Sequence, residues 1–213
     1  LLYALENIPV ANDINHLDFR LPVQTVIRPH TEEHHDYRAY AGQISSGIIR
    51  IGDEITAFPS QLQSRIKKIH NASRELNEAY APQSISIELE DDIDISRGDM
   101  LVKTNNQPEH GQEIDAMICW MGNSPMNLNG KYIIKHTSRE GRAIIKEIVY
   151  EMDLNSLKRI TEQNKLEMNG IARIKLKTTT PLFFDPYRKN RSTGSFILID
   201  ESNFNTVGAG MII

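Results

Sequence analysis

Apolar and polar residues alternate along most of this chain with a period of two, the spacing of strands that bury one face. Ile85, Ile87 and Leu89 alternate with Ser86, Glu88 and Glu90, and Ala172, Ile174 and Leu176 with Arg173, Lys175 and Lys177. Val23, Thr25 and Ile27, set against Gln24, Val26 and Arg28, predict another strand with the first three on one face. Breaks at Ser46-Gly47, Gly52-Asp53, Asn129-Gly130 and Asn169-Gly170 fall between such runs, and Asn-Gly supplies the positive φ of tight hairpin turns. The final stretch, RSTGSFILIDESNFNTVGAGMII (residues 191–213), reads as two strands around a polar turn. Its Gly208 and Gly210 would let neighbouring backbone approach closely. Many short strands with regular turns predict an all-β fold of two closed antiparallel β-barrels. Residues 1–8 depart from the pattern: Leu2, Leu5 and Ile8 share one side of a helical turn pair. A helix that short is unstable alone, so it is expected to be the remnant of an upstream domain, docked outside the barrels.

A length of 213 residues accommodates two domains of ordinary size. The polar run KTNNQPEHG (residues 103–111), which holds Pro108, is the predicted linker. The expected division is the tail of an upstream domain over 1–17, a first barrel over 18–104 and a second over 105–213. The net charge of -4 argues against a general nucleic-acid binder. Two basic strand faces (Arg173, Lys175 and Lys177; Arg65 and Lys67) leave open a fragment that binds tRNA. No long apolar run and no signal-peptide pattern points to a membrane or to export. The single Cys119 agrees with a reducing cytoplasm.

Several runs imitate chemistry. HTEEHHD (residues 30–36) places His30, Glu33 and His34 in the H-x-x-E-H spacing of inverted zinc peptidases. That mechanism needs both histidines on one helix face, whereas this run follows Pro29 and leads into a strand-like DYRAYAG. A solvated loop is the expectation, and the zinc-binding peptidase an alternative. GNSPMNLNGK (residues 122–131) lacks P-loop spacing, and Tyr132 occupies the position of the magnesium-binding hydroxyl. Asn164-Lys165-Leu166-Glu167 imitates a guanine-reading motif but ends in Glu. Cys119 ends the apolar run 116–118 and is expected in the core. The acidic residues Glu88, Glu90, Asp91, Asp92 and Asp94 lack the spacing of a calcium loop. The chain is thus expected to hold no catalytic, cofactor or metal site of its own.

TVGAG at residues 206–210 resembles the closing hairpin of the third domain of elongation factor Tu and its relatives. GQISSGIIRIGDEI (42–55), QSRIKKI (63–69) and DDIDISRGDMLV (91–102) resemble the second-domain barrel of translational GTPases. Within that superfamily, FRLPVQTVIRP (19–29), DYRAYAGQISSG (36–47), LEDDIDISRGDM (89–100) and NRSTGSFILID (190–200) are similar to the GTPase large subunit of bacterial ATP sulfurylase. The histidine-rich loop is a departure from the family's pattern. The resemblance implies a cytoplasmic sulfate-assimilation complex. In it a small catalytic partner subunit makes adenylyl sulfate and pyrophosphate from ATP and sulfate, driven by GTP hydrolysis. GTP and magnesium would sit in the missing upstream domain, and these barrels would couple that domain to the partner. Arg38, Tyr40, Arg97 and Asp99 are the expected contact residues.

Overall fold

The structure is a computed structural model that describes residues 2–3, 15–29, 37–161 and 164–213. Most of the expected helical remnant at 1–8 lies outside the described residues.

The first half of the chain forms β1 (Arg20–Pro22), β2 (Thr25–Ile27), β3 (Ala39–Gln43), β4 (Ile48–Arg50), β5 (Glu54–Phe58), β6 (Leu62–Asn71), β7 (Arg74–Leu76), β8 (Glu78–Tyr80), β9 (Ser84–Leu89) and β10 (Met100–Lys103). Its main sheet runs β1-β10-β5-β6-β9-β3-β2, with β7 on β6, while β4 and β8 pair separately. The outer strands β1 and β2 are consecutive in the chain, joined by Val23 and Gln24. The Val23 N–H donates to Asp99 O and the Gln24 N–H to Ala41 O, each at 2.8 Å. One extended segment therefore changes partner from β10 to β3, and the circuit is completed through the covalent chain rather than by a ladder. The change of partner shifts the side-chain alternation by one residue. Phe19, Leu21 and Val23 are buried, but beyond them Val26 packs on the core while Thr25 and Ile27 are exposed. This corrects the expected face of that strand.

The second half forms β11 (Glu109–Trp120), β12 (Met126–Asn127), β13 (Lys131–His136), β14 (Arg139–Met152), β15 (Arg159–Ile160), β16 (Lys165–Leu166), β17 (Ile171–Phe184), β18 (Ser195–Ile199) and β19 (Thr206–Ile212). The order β13-β18-β19-β11-β17-β14 is closed by pairing of β13 with β14, giving a six-stranded antiparallel barrel, and β15 extends β14. Among the described residues no ladder joins the two sheets. The predicted linker is shorter than its composition implied, because His110 and Gly111 pair with Phe183 and Leu182. The His110 ring lies against Phe58 and Phe183, which makes a polar residue part of a strand.

Each sheet has its own core. The first gathers Phe19, Leu21, Tyr40, Ile49, Ile66 and Ile87, and the second Ile118, Trp120, Ile145, Ile174, Leu176 and Leu198. Cys119 corrects another expectation: Ala116, Ile118 and Trp120 point inward, so Cys119 falls on the opposite, half-buried face. In the turns at 129–130 and 169–170 the positive φ falls on Asn129 (60°) and Asn169 (66°), not on the glycines that follow. Gly210 pairs with Phe196, whose ring lies across it. A Cβ at Gly210 would stand 2.2 Å from the ring, so the TVGAG run owes that glycine to an aromatic neighbour.

Candidate functional site

The chemically densest part of the molecule is the seam between the two sheets. Its apolar part is a patch of Phe58, Met100, Val102 and Phe183, with the two phenylalanine rings 5.2 Å apart. Beside it Arg20, fully buried, projects from β1. Its Nε and Nη2 donate to the two oxygens of Asp185, each at 2.9 Å, in a bidentate pair. Such a fork matches carboxylate geometry and is the strong form of a charged hydrogen bond. The Arg20 Nη1 donates to Phe19 O (2.9 Å) and Asn106 O (2.7 Å), tying β1 to the linker. The Thr193 hydroxyl donates to Asp185 Oδ2 at 2.9 Å.

The network continues on both sides. Asn190 Nδ2 donates to the Ser46 hydroxyl (2.8 Å), which in turn donates to Asp18 O. Asp18 accepts from Asn15 Nδ2 and Asn106 Nδ2, each at 2.6 Å, and Lys189 Nζ lies 3.2 Å away. Burial pushes the Asp18 carboxyl up, but these three partners outweigh it and hold it below the usual range. Gly47 lets the strands meet here: its φ is +78°, and a Cβ would stand 2.4 Å from Phe19 Cα. Deeper in the second barrel, His136 Nε2 lies 2.7 Å from Thr193 O. A carbonyl can only accept, so Nε2 carries the proton. Burial keeps His136 below its ordinary pKa and therefore neutral.

Arg97 and Asp99 lie on the other flank of the seam, in the turn before β10. Gly98 between them has a φ of +93°. Arg97 Nη1 donates to Gln24 O at 2.7 Å, and Asp99 Oδ2 accepts from the Ser96 N–H at 2.8 Å. Across the seam, Arg139 donates to Gly98 O (3.2 Å), lies 3.9 Å from Asp99 and stacks over Phe183. Burial pushes the Asp99 carboxyl above its usual range, and the Ser96 amide and Arg139 draw it back only part of the way. Arg38 and Tyr40 sit elsewhere, around β3. Arg38 forks onto Asp92 and Asp94 and stacks on Tyr40. Tyr40 is a core side chain whose hydroxyl donates to Ile93 O at 2.7 Å. The four expected contact residues are thus two separate pairs.

The imitation motifs have structural roles. Tyr132 is buried with its ring edge-on to Trp120. Lys165 and Leu166 form β16, with Lys165 bonded to Glu167. Asp92 and Asp94 hold Arg38, while Asp91 accepts from Ser64. Much of the basic face is paired across strands: Arg173 with Asp115, Lys175 with Glu147 and Arg65 with Glu54. His30, Glu33, His34 and the rest of their run lie outside the described residues. Among the described residues no group of acids, histidines or cysteines is arranged to hold a metal ion, and no helix is long and apolar enough to cross a membrane. Sequence reasoning missed Arg20, Asn106, Arg139, Asp185, Asn190 and Thr193. The usable signal was an arginine in the apolar FRLPV and an aspartate after the apolar PLFF.

A family model described as GTP-eEF1A C-terminal domain-like matches residues 113–213. The chain is 46% identical over 214 aligned residues to the bifunctional enzyme CysN/CysC of Mycobacterium tuberculosis, covering all of this chain and 35% of that protein. It is 43% identical to sulfate adenylyltransferase subunit 1 of Bacteroides thetaiotaomicron, covering all of this chain and 45% of the relative. The chain therefore spans less than half the length of these relatives. A crystal structure of sup35 complexed with GMPPNP superposes with a TM-score of 0.82 at 16% identity, over all of this chain and 51% of that one. That likeness concerns the fold alone. From end to end the chain is thus similar to part of the sulfate adenylyltransferase subunit 1 and CysN/CysC relatives, and its second half matches the GTP-eEF1A C-terminal domain-like family.

Proposed function

We propose that this chain is the barrel region of a GTPase subunit of sulfate adenylyltransferase, the complex that joins ATP and sulfate into adenylyl sulfate and pyrophosphate while hydrolysing GTP. The observation that carries the reading is the whole-chain identity of 46% and 43% to relatives whose names are CysN/CysC and sulfate adenylyltransferase subunit 1. The division at the linker into 18–104 and 105–213, and a cytoplasmic location, belong to the same reading. Adenylyl transfer is assigned to a small catalytic partner subunit, and GTP with magnesium to a domain preceding the barrels. The barrels supply no reacting group and transmit a conformational bias.

A nucleotide acts at a distance only through contacts that differ between two states. A relay of this kind works when its parts move together, and the seam supports that role. Arg20 with Asp185, Asn190 with Ser46, and Arg139 with Gly98 each cross between the sheets. In this reading the turn of Arg97 and Asp99 is where coupling passes through the barrels, braced from behind by Arg139. Arg38 and Tyr40 would serve a second contact surface around β3.

The test uses the full-length subunit reconstituted with its small partner, scoring adenylyl sulfate formed per GTP hydrolysed. Loss of GTP-dependent product when the barrels are deleted, with the partner's basal rate retained, is the expected result. Saturable binding of GTP to this chain alone at micromolar concentration, measured by calorimetry, would overturn the assignment of the nucleotide to another domain.

A further inference from the structure

Between the two barrels lies a cleft of about 320 Å³ lined by Arg97, Gly98, Asp99, Ser138, Arg139, Glu140 and Thr180. Its walls belong to three separate segments: the turn before β10, the β13–β14 hairpin and β17. Two hydroxyl oxygens in these walls, Ser138 Oγ and Thr180 Oγ1, are shielded from solvent and have no hydrogen-bond partner among the described residues. A buried polar atom without a partner is costly and uncommon, so each one asks for an explanation. Here both orphans line the same cleft, next to two guanidinium groups.

The balance of donors and acceptors indicates what would satisfy them. Arg97 uses one N–H on Gln24 O and Arg139 one on Gly98 O, which leaves further donors on each fork. The two hydroxyls, shielded as the cleft stands, would add two more once their side chains turn toward a bound ligand. On the acceptor side, one oxygen of Asp99 receives the Ser96 amide and the other faces Arg139 at 3.9 Å. Glu140, also in the lining, is engaged by Lys135 at 3.5 Å. Donors outnumber free acceptors, and the arginines are held in place, Arg139 by its stacking on Phe183. Preorganised donors of this kind suit a compact ligand rich in acceptors.

We propose that this inter-barrel cleft binds a small tetrahedral oxyanion of the sulfate or phosphate class, held by Arg97, Arg139, Ser138 and Thr180. This site shares the Arg97–Asp99 turn and Arg139 with the coupling reading, but it rests on the cleft itself and does not depend on that reading. Because its walls come from both barrels, the bound anion would clamp the seam.

The experiment titrates the chain with sodium sulfate, sodium phosphate and AMP against sodium chloride at matched ionic strength. Calorimetry gives the affinity, and the unfolding midpoint gives the stabilisation. Saturable millimolar binding is expected, weakened about tenfold in Arg97→Gln, the loss typical of one charged hydrogen bond. Equal affinity for phosphate and AMP would identify a free inorganic ion as sufficient, and tighter AMP a nucleotide phosphate; either supports the site. Thr180→Val and Ser138→Ala provide the second readout. Each should leave the anion-free chain as stable or more so, because an unsatisfied buried hydroxyl is removed, while diminishing stabilisation by the anion. Sulfate and phosphate also stabilise proteins by exclusion from the surface. A non-saturating effect that is identical in all three variants would therefore overturn the proposal, as would loss of anion-free stability in both hydroxyl variants.

Discussion

Replacing Arg20 by Met removes one partner of a charge pair whose side chains are 0% and 3% exposed. The Asp185 carboxylate then stays buried, with the Thr193 hydroxyl at 2.9 Å and Lys189 Nζ at 3.7 Å as its remaining partners. Lys189 is half exposed and shared with Asp18, so it compensates poorly. Phe19 O and Asn106 O lose their donor as well. Breaking a buried pair from one side costs about 3 to 5 kcal/mol, and the two orphaned carbonyls place Arg20→Met in the upper half of that range. The double variant Arg20→Met with Asp185→Leu should recover much of the loss, because the uncompensated charge is gone. A double-mutant cycle then yields the coupling. The control is the exposed pair of Arg50 and Glu78, whose disruption should cost about 0 to 1 kcal/mol.

Urea unfolding is the assay, followed by far-UV circular dichroism for both barrels and by fluorescence of the single tryptophan, Trp120, for the second barrel alone. In the parent chain the two probes should coincide. In Arg20→Met they should separate, because the pair links the two sheets. A loss under about 1 kcal/mol with coincident transitions would refute the reasoning, since a fully desolvated carboxylate cannot lose its main partner at so small a cost.

Stability should fall below pH 6.5 because of His136. Its folded pKa is depressed below 6.5, chiefly by burial, so it contributes fully above that value and the unfolded chain takes up the proton first as pH drops. The slope is about 1.4 kcal/mol per pH unit, and His136→Gln should flatten it in a pH series of urea midpoints. Gly210→Ala should destabilise by about 1 to 3 kcal/mol, the usual range for overpacking, because the added methyl meets the Phe196 ring. Trimming that ring with Phe196→Leu in the same chain should recover part of the loss, and additive losses would rule out the clash. Under the proposed coupling role, Arg97→Ala or Asp99→Ala in the full-length subunit should lower adenylyl sulfate formed per GTP by an amount equivalent to about 1 to 3 kcal/mol of coupling. The partner's basal rate should be unchanged, and an unaltered ratio with intact assembly would reduce both residues to seam contacts.

The alternation of apolar and polar residues was sufficient to read the strands, because a strand half in water must show a period of two whatever it packs against. The core residues Ile85, Ile87, Ala172, Ile174 and Leu176 were legible for that reason. The TVGAG run and the SRGDM turn were legible as words, although the reason for Gly210 is a ring in the neighbouring strand. Local pattern failed where a partner changes. The switch from β10 to β3 at Val23 and Gln24 moved Ile27 to the outside, and ring contacts with Phe58 and Phe183 drew His110 into a strand. The seam was hidden most completely. Arg20 and Asp185 are 165 positions apart, and although their apolar neighbours signal burial, nothing in either segment identifies the partner. Which charges are buried together, and which hydroxyls find no partner among the described residues, is decided only when the two sheets meet, because desolvation belongs to the assembled interface and not to any segment of the chain.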